Sequence, residues 1–156
     1  MAYYLFIISL CYVAFCDITK RKILNNSVIL VFAFGFLFVL KGSEGFSSGF
    51  LESVVAGIFV FLCFYVFYVL GWMGAGDVKL GCVLAFCFGG KFFFLIWIVS
   101  ISLSIFYSVV DLFLRGYGWE ISRGRWMNNE VNLKAKHIPY GLFLSVASIL
   151  HLFYVF

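Results

Sequence analysis

The sequence predicts an all-α integral membrane protein of about six transmembrane helices, with its amino terminus outside. Hydrophobic residues make up 65% of the 156-residue chain and charged residues 12%, and mean hydropathy is +1.11, far from globular averages. The apolar runs are continuous, carry most of the 22 phenylalanines and lack the alternation of a barrel strand. Helices are then the way for the backbone to satisfy its hydrogen bonds in lipid.

Six runs can be marked in order: 2–16, 27–40, 50–71, 78–90, 92–114 and 139–156. We read residues 1–156 as a single transmembrane domain, with no internal repeat. At about 1.5 Å per residue, the first and fourth runs fall short of the roughly 30 Å hydrocarbon layer. Their ends should lie in a thinned or water-accessible region, and the polar residues at those ends are Asp17 and Asp77. Stretch 41–49, with its lysine, glycines and serines, reads as a turn region on the outer side. The polar segment 116–137 connects the last two runs. Its Arg-Gly-Arg-Trp cluster at 123–126 suits either a segment lying at the headgroups or a solvated connection.

Orientation follows from the basic residues. With the amino terminus outside, the inner loops hold Lys20, Arg21, Lys22, Lys79, Arg115, Arg123, Arg125, Lys134 and Lys136, against Lys41 and Lys91 outside. The positive-inside rule favours this arrangement. Because the charges follow the first run instead of preceding it, that run reads as an anchor and not as a cleaved signal peptide. The net charge of +4 is spread over these short loops, which argues against nucleic acid as a partner. Cys11, Cys16, Cys63, Cys82 and Cys87 all fall inside apolar runs, with no CxxC and no metal-ligand spacing to His137 or His151, and read as small buried hydrophobes.

This topology puts Asp17, at the end of the first run, and Asp77, at the start of the fourth, on the same inner side. Two carboxylates within reach of one another do not ionise independently, so one keeps a proton while the other acts as a base, the arrangement of an aspartic protease. Gly74 and Gly76, lacking a Cβ, would let a substrate strand or a facing helix approach Asp77 closely. A plainer reading also fits: the glycines form a turn, Asp77 caps a helix, Lys79 reaches the interface and Asp17 is a loop charge beside Lys20, Arg21 and Lys22.

Gly74-Ala75-Gly76-Asp77-Val78-Lys79 resembles the GxGD motif, with its GxGDVK extension, of the type IV prepilin peptidase family of membrane aspartic proteases. Asp17, leading through Lys20, Arg21 and Lys22 to Ile23-Leu24-Asn25, is similar to that family's other catalytic region, an aspartate followed by basic residues and an Ile-Pro-Asn element. Ile138-Pro139-Tyr140-Gly141 resembles its aliphatic-Pro-aromatic-Gly signature. Two departures stand out: Leu24 where proline is frequent, and Leu142 where a second proline commonly follows the glycine. The connection after the first run is short and has no cysteine, unlike larger members with paired CxxC motifs, so the resemblance is to a minimal, peptidase-only form like those serving tight-adherence (Flp) pili.

The resemblance implies Asp17 and Asp77 as catalytic residues, with hydrolysis at the cytoplasmic face of the short basic leader of a prepilin-like substrate, typically after a glycine. It implies no metal or cofactor. Its partners would be that substrate, with an apolar helix lying in the lipid bilayer, and a homodimer is compatible with it. Around the pair, Lys79 would ease the charge or hold a leader carbonyl, Asn25 and Asn26 would bond backbone near Asp17, and Pro139 and Gly141 would shape the entry of the last helix. His137 reads as interfacial and His151 as packed or hydrogen-bonded. Two rivals differ in kind: a presenilin-like or signal-peptide-peptidase-like protease, which would pair its motif with a Tyr-Asp where this chain has Cys16-Asp17, and a small transporter or pilus-assembly scaffold whose buried carboxylates are structural.

Overall fold

The structure, a computed structural model, describes residues 2–20, 23, 25–41, 49–116 and 140–155. These form five helices and, among the described residues, no strand: α1 (Ala2–Lys20), α2 (Asn25–Lys41), α3 (Phe50–Val69), α4 (Ala75–Gly116) and α5 (Tyr140–Val155). Two segments, Phe50–Val69 and Ala75–Phe113, are long and apolar enough to cross a membrane, and three shorter apolar helices accompany them. The expected segment at 123–126 and residues Pro139 and His137 lie outside the described residues.

The fourth and fifth runs of the sequence are the two arms of α4. Gly89 breaks it, with φ 75° and ψ 168°, a backbone conformation that suits a residue without a Cβ. The arms fold back on each other. Phe64 of α3 lies against Gly81 in the first arm, and its ring stands 5.9 Å from that of Trp97 in the second. Sixteen residues of straight helix would separate those positions by roughly 24 Å, too far for one ring to touch both. Phe64 therefore sits between the arms as a wedge.

α4 packs against α2, α3 and α5, while α1 packs against α2 and α5. Association in lipid draws little on the hydrophobic effect and depends on close fit and small residues. The inner contacts show such fit: Phe6 meets Phe38 and Phe88 edge-on at 6.1 and 6.0 Å, and Cys87 of α4 enters a notch at Gly35 of α2. His151 is packed between the rings of Phe88 and Phe92, at 5.3 and 5.1 Å. Outward faces are as apolar as the interior, with Ile8, Phe15, Leu51 and Phe59 all exposed. The expectation of five buried cysteines is corrected accordingly: Cys16 and Cys87 are buried, whereas Cys11 and Cys63 are exposed. On an exterior made of apolar side chains, a small hydrophobe has no reason to prefer the inside.

One local motif sets up the end of the bundle that holds Asp77. α3 ends at Val69 and the chain turns at Gly71, whose φ is 75°; the Gly71 N–H donates to Tyr68 O and the Trp72 N–H to Phe67 O, both at 3.0 Å. The Trp72 ring stacks on Phe67 at 5.9 Å, completing a Schellman termination with its hydrophobic contact. Three residues later α4 begins, so the chain turns sharply just ahead of Asp77.

A side chain at either tight glycine should disturb the bundle. Gly35→Val or Gly81→Val, which drive atoms into Cys87 or the Phe64 ring, are expected to lower stability by about 1–3 kcal/mol, read as a drop in thermal midpoint in detergent. Gly90→Ala, whose nearest neighbour would be Ala56 Cβ at 3.9 Å, should leave the midpoint nearly unchanged.

Candidate active site

Asp17 lies one turn before the end of α1 and is only 6% exposed. Asp77 lies in the first turn of α4. There Gly74 O accepts from Asp77 N–H at 3.1 Å and from Val78 N–H at 3.3 Å, making Gly74 the helix cap. Three residues on, the Asp77 carboxylate folds back over that cap: a Cβ placed on Gly74 would lie 3.1 Å from Asp77 Oδ2. This is the position from which an acidic side chain reaches a cap's own N–H in a capping box. The capping reading of Asp77 and its membership of a carboxylate pair are therefore compatible.

The head of α5 brings the two acids together. Leu142 N–H donates to Asp17 Oδ2 at 2.9 Å. A Cβ placed on Gly141 would lie 3.1 Å from Asp17 Oδ2 and 3.3 Å from Asp77 Oδ1, so those oxygens are no farther apart than the two distances laid end to end. The Gly141 backbone amide also faces Asp77. First-turn amides have no partner within their own helix, and a helix N-terminus carries partial positive charge. Both features suit a site holding two acids. The amide of Leu142 is also a donor that a proline at this position would lack.

The other expected residues divide into two groups. Gly76 faces Ile23, whose Cβ would be 2.9 Å from a Cβ placed there, so its open side is filled by the chain itself. Lys79 Nζ donates to Asn25 Oδ1 at 3.0 Å, tying the head of α2 to that of α4 at an exposed position beside the pair. Such an exposed bond contributes little to stability, about 1 kcal/mol or less. Two participants had no role in the sequence reading. Leu142, noted there only as a departure from proline, takes part through its main-chain N–H. Ile23 had one signal only, its place in the Ile-Leu-Asn element.

Residues 4–109 match the type IV leader peptidase family, more than half of the chain. The chain belongs to that family. No curated protein and no solved structure matches it. Membership implies a protease of the type IV prepilin leader peptidase kind, and proteins of this family are membrane proteins, with which the two long apolar helices agree. The matched region holds both aspartates, whereas α5, whose head they share, lies beyond it.

Gly141→Ala tests the crowding at this point. The added methyl would meet Ile23 Cδ1 at 2.6 Å and stand against both carboxylates. The variant is expected to accumulate in membranes and to lose at least about tenfold in peptidase rate, since a shift near 1 Å at a reacting centre costs up to about a hundredfold. Lys79→Met, which breaks only the exposed bond, should leave the thermal midpoint within the range of a surface substitution.

Proposed function

We propose that the protein is a multi-pass aspartic endopeptidase of the cell membrane that removes the short basic leader of a type IV prepilin-like substrate at the cytoplasmic face, with Asp17 and Asp77 as its catalytic pair. The observation that carries this reading is the convergence of the two carboxylates on Gly141 in a chain of the leader peptidase family.

Carboxyl groups this close share a proton more readily than they both ionise, and the pair then works as one unit. The ionised member takes a proton from a water molecule as the water oxygen attacks the carbonyl carbon of the scissile peptide. The protonated member donates to the carbonyl oxygen, where negative charge develops. As the tetrahedral intermediate collapses, the carbon–nitrogen bond breaks and the leaving nitrogen takes up a proton. The Leu142 amide and the positive end of α5 support the net negative charge that the pair keeps throughout.

The excess of Lys and Arg in one set of loops supports an inward-facing site. The substrate's apolar helix would lie in the bilayer beside the enzyme, which brings the bond ahead of it to the depth of the pair. A basic leader near Lys20, Arg21 and Lys22 would be repelled, so acidic groups of the substrate or anionic lipid would have to balance it.

Asp17→Asn and Asp77→Asn separate this chemistry from a structural role. Each is expected to lower leader removal from a co-expressed prepilin by about 100-fold to 10,000-fold, the range of a positioned acid or base, while the protein still accumulates in the membrane. Normal trimming by both variants would remove the proposal. Disappearance of the protein itself would mark the carboxylates as structural.

A further inference from the structure

Between α1 and α2, Ile23 packs its side chain against both Gly76 and Gly141 at the candidate site. A Cβ placed on Gly76 would lie 2.9 Å from Ile23 Cβ and 3.6 Å from its Cδ1, and one placed on Gly141 would lie 2.6 Å from the same Cδ1. The isoleucine thus spans the head of α4 and the head of α5. Its terminal methyl reaches the spot where the Asp17 and Asp77 oxygens converge, 3.1 and 3.3 Å from that Gly141 point. The space left open by two missing side chains is filled by one that the chain supplies.

On the peptidase reading, a peptide carbonyl that reaches the carboxylates past Ile23 brings its main chain along this side chain. A residue facing Ile23 has room for a hydrogen on its Cα, but a methyl group would compete for volume the isoleucine holds. Ile23 lies in the connection between α1 and α2; on the peptidase reading the leader approaches from the side of such connections, whereas the residue after the cut opens the substrate's apolar helix. We propose that Ile23 is the specificity-determining residue of the site, confining the residue on the amino side of the scissile bond to glycine. This inference rests on the peptidase reading above and names the wall that would enforce its substrate preference.

The test compares one prepilin-like substrate, made of a basic leader, glycine and an apolar helix, with versions carrying alanine or serine in place of that glycine. Membranes containing wild type, Ile23→Ala or Ile23→Val are supplied with each. The readout is the ratio of kcat/KM for the alanine substrate to that for the glycine substrate within one variant, which cancels differences in the amount of folded enzyme. Wild type should strongly prefer glycine. Ile23→Ala should raise the ratio about tenfold or more, the scale on which one methyl-sized change alters discrimination in a packed pocket, and Ile23→Val should raise it less. The serine substrate should follow alanine. Equal use of glycine and alanine by wild type overturns the proposal, as does a ratio that stays fixed in both variants, or loss of all cleavage in both. Failure of wild type to cut even the glycine substrate removes the peptidase reading, and this inference with it.

Discussion

Two acidic side chains from distant parts of the chain are held against the head of a third helix, and that end of the molecule is organised around the contact. At an effective dielectric constant of 20, two unit charges about 5 Å apart repel by about 3 kcal/mol. A hydrogen bond from an amide to a charged carboxylate contributes about 1.5–3 kcal/mol, and a helix end adds about 0.3–1 kcal/mol. Attraction and repulsion are therefore of similar size. In the proposed pair a single shared proton removes most of the repulsion while the Leu142 amide still has an acceptor in Asp17. An ordinary side chain at position 141 would occupy the ground on which the two acids meet.

The rest of the fold serves this end by fixing helix termini. The Schellman stop at Gly71 reverses the chain in a few residues, and the cap at Gly74 starts α4 with Asp77 already in its first turn. At the far end of the first arm, the break at Gly89 returns the chain alongside itself, with Phe64 wedged between the arms. α4 thereby presents surfaces to α2, α3 and α5 together. The Lys79 to Asn25 bond then adds a polar tie between two helix heads, close to the site and open to water.

Much of this was legible in the residues. Long unbroken apolar runs indicate helices because few alternatives satisfy the backbone in lipid, and all five helices coincide with runs marked from composition. The runs 78–90 and 92–114 put the break between them at Lys91, whereas the backbone departs from helix two residues earlier, at Gly89. Asp17 and Asp77 stood out because charge at the end of a short apolar run is costly without a purpose. Other features left no such trace. The bond from Leu142 uses a group that every residue except proline possesses, and Ile23 looks like any aliphatic side chain until its neighbours are known. Cys11 and Cys63 were misjudged because burial rules drawn from proteins in water lose their force where the exterior is itself apolar.

The order of helices along the chain has a biosynthetic consequence. The α1 and α4 main chains do not approach one another closely; α5 packs against both and reaches each carboxylate through its opening turn. A ribosome makes Asp17 and Asp77 well before it makes α5. During that interval the nascent polypeptide carries both acids without the scaffold that gathers them. On the proposed reading, competence would wait for α5, and a copy translated only through α4 would lack the assembled pair.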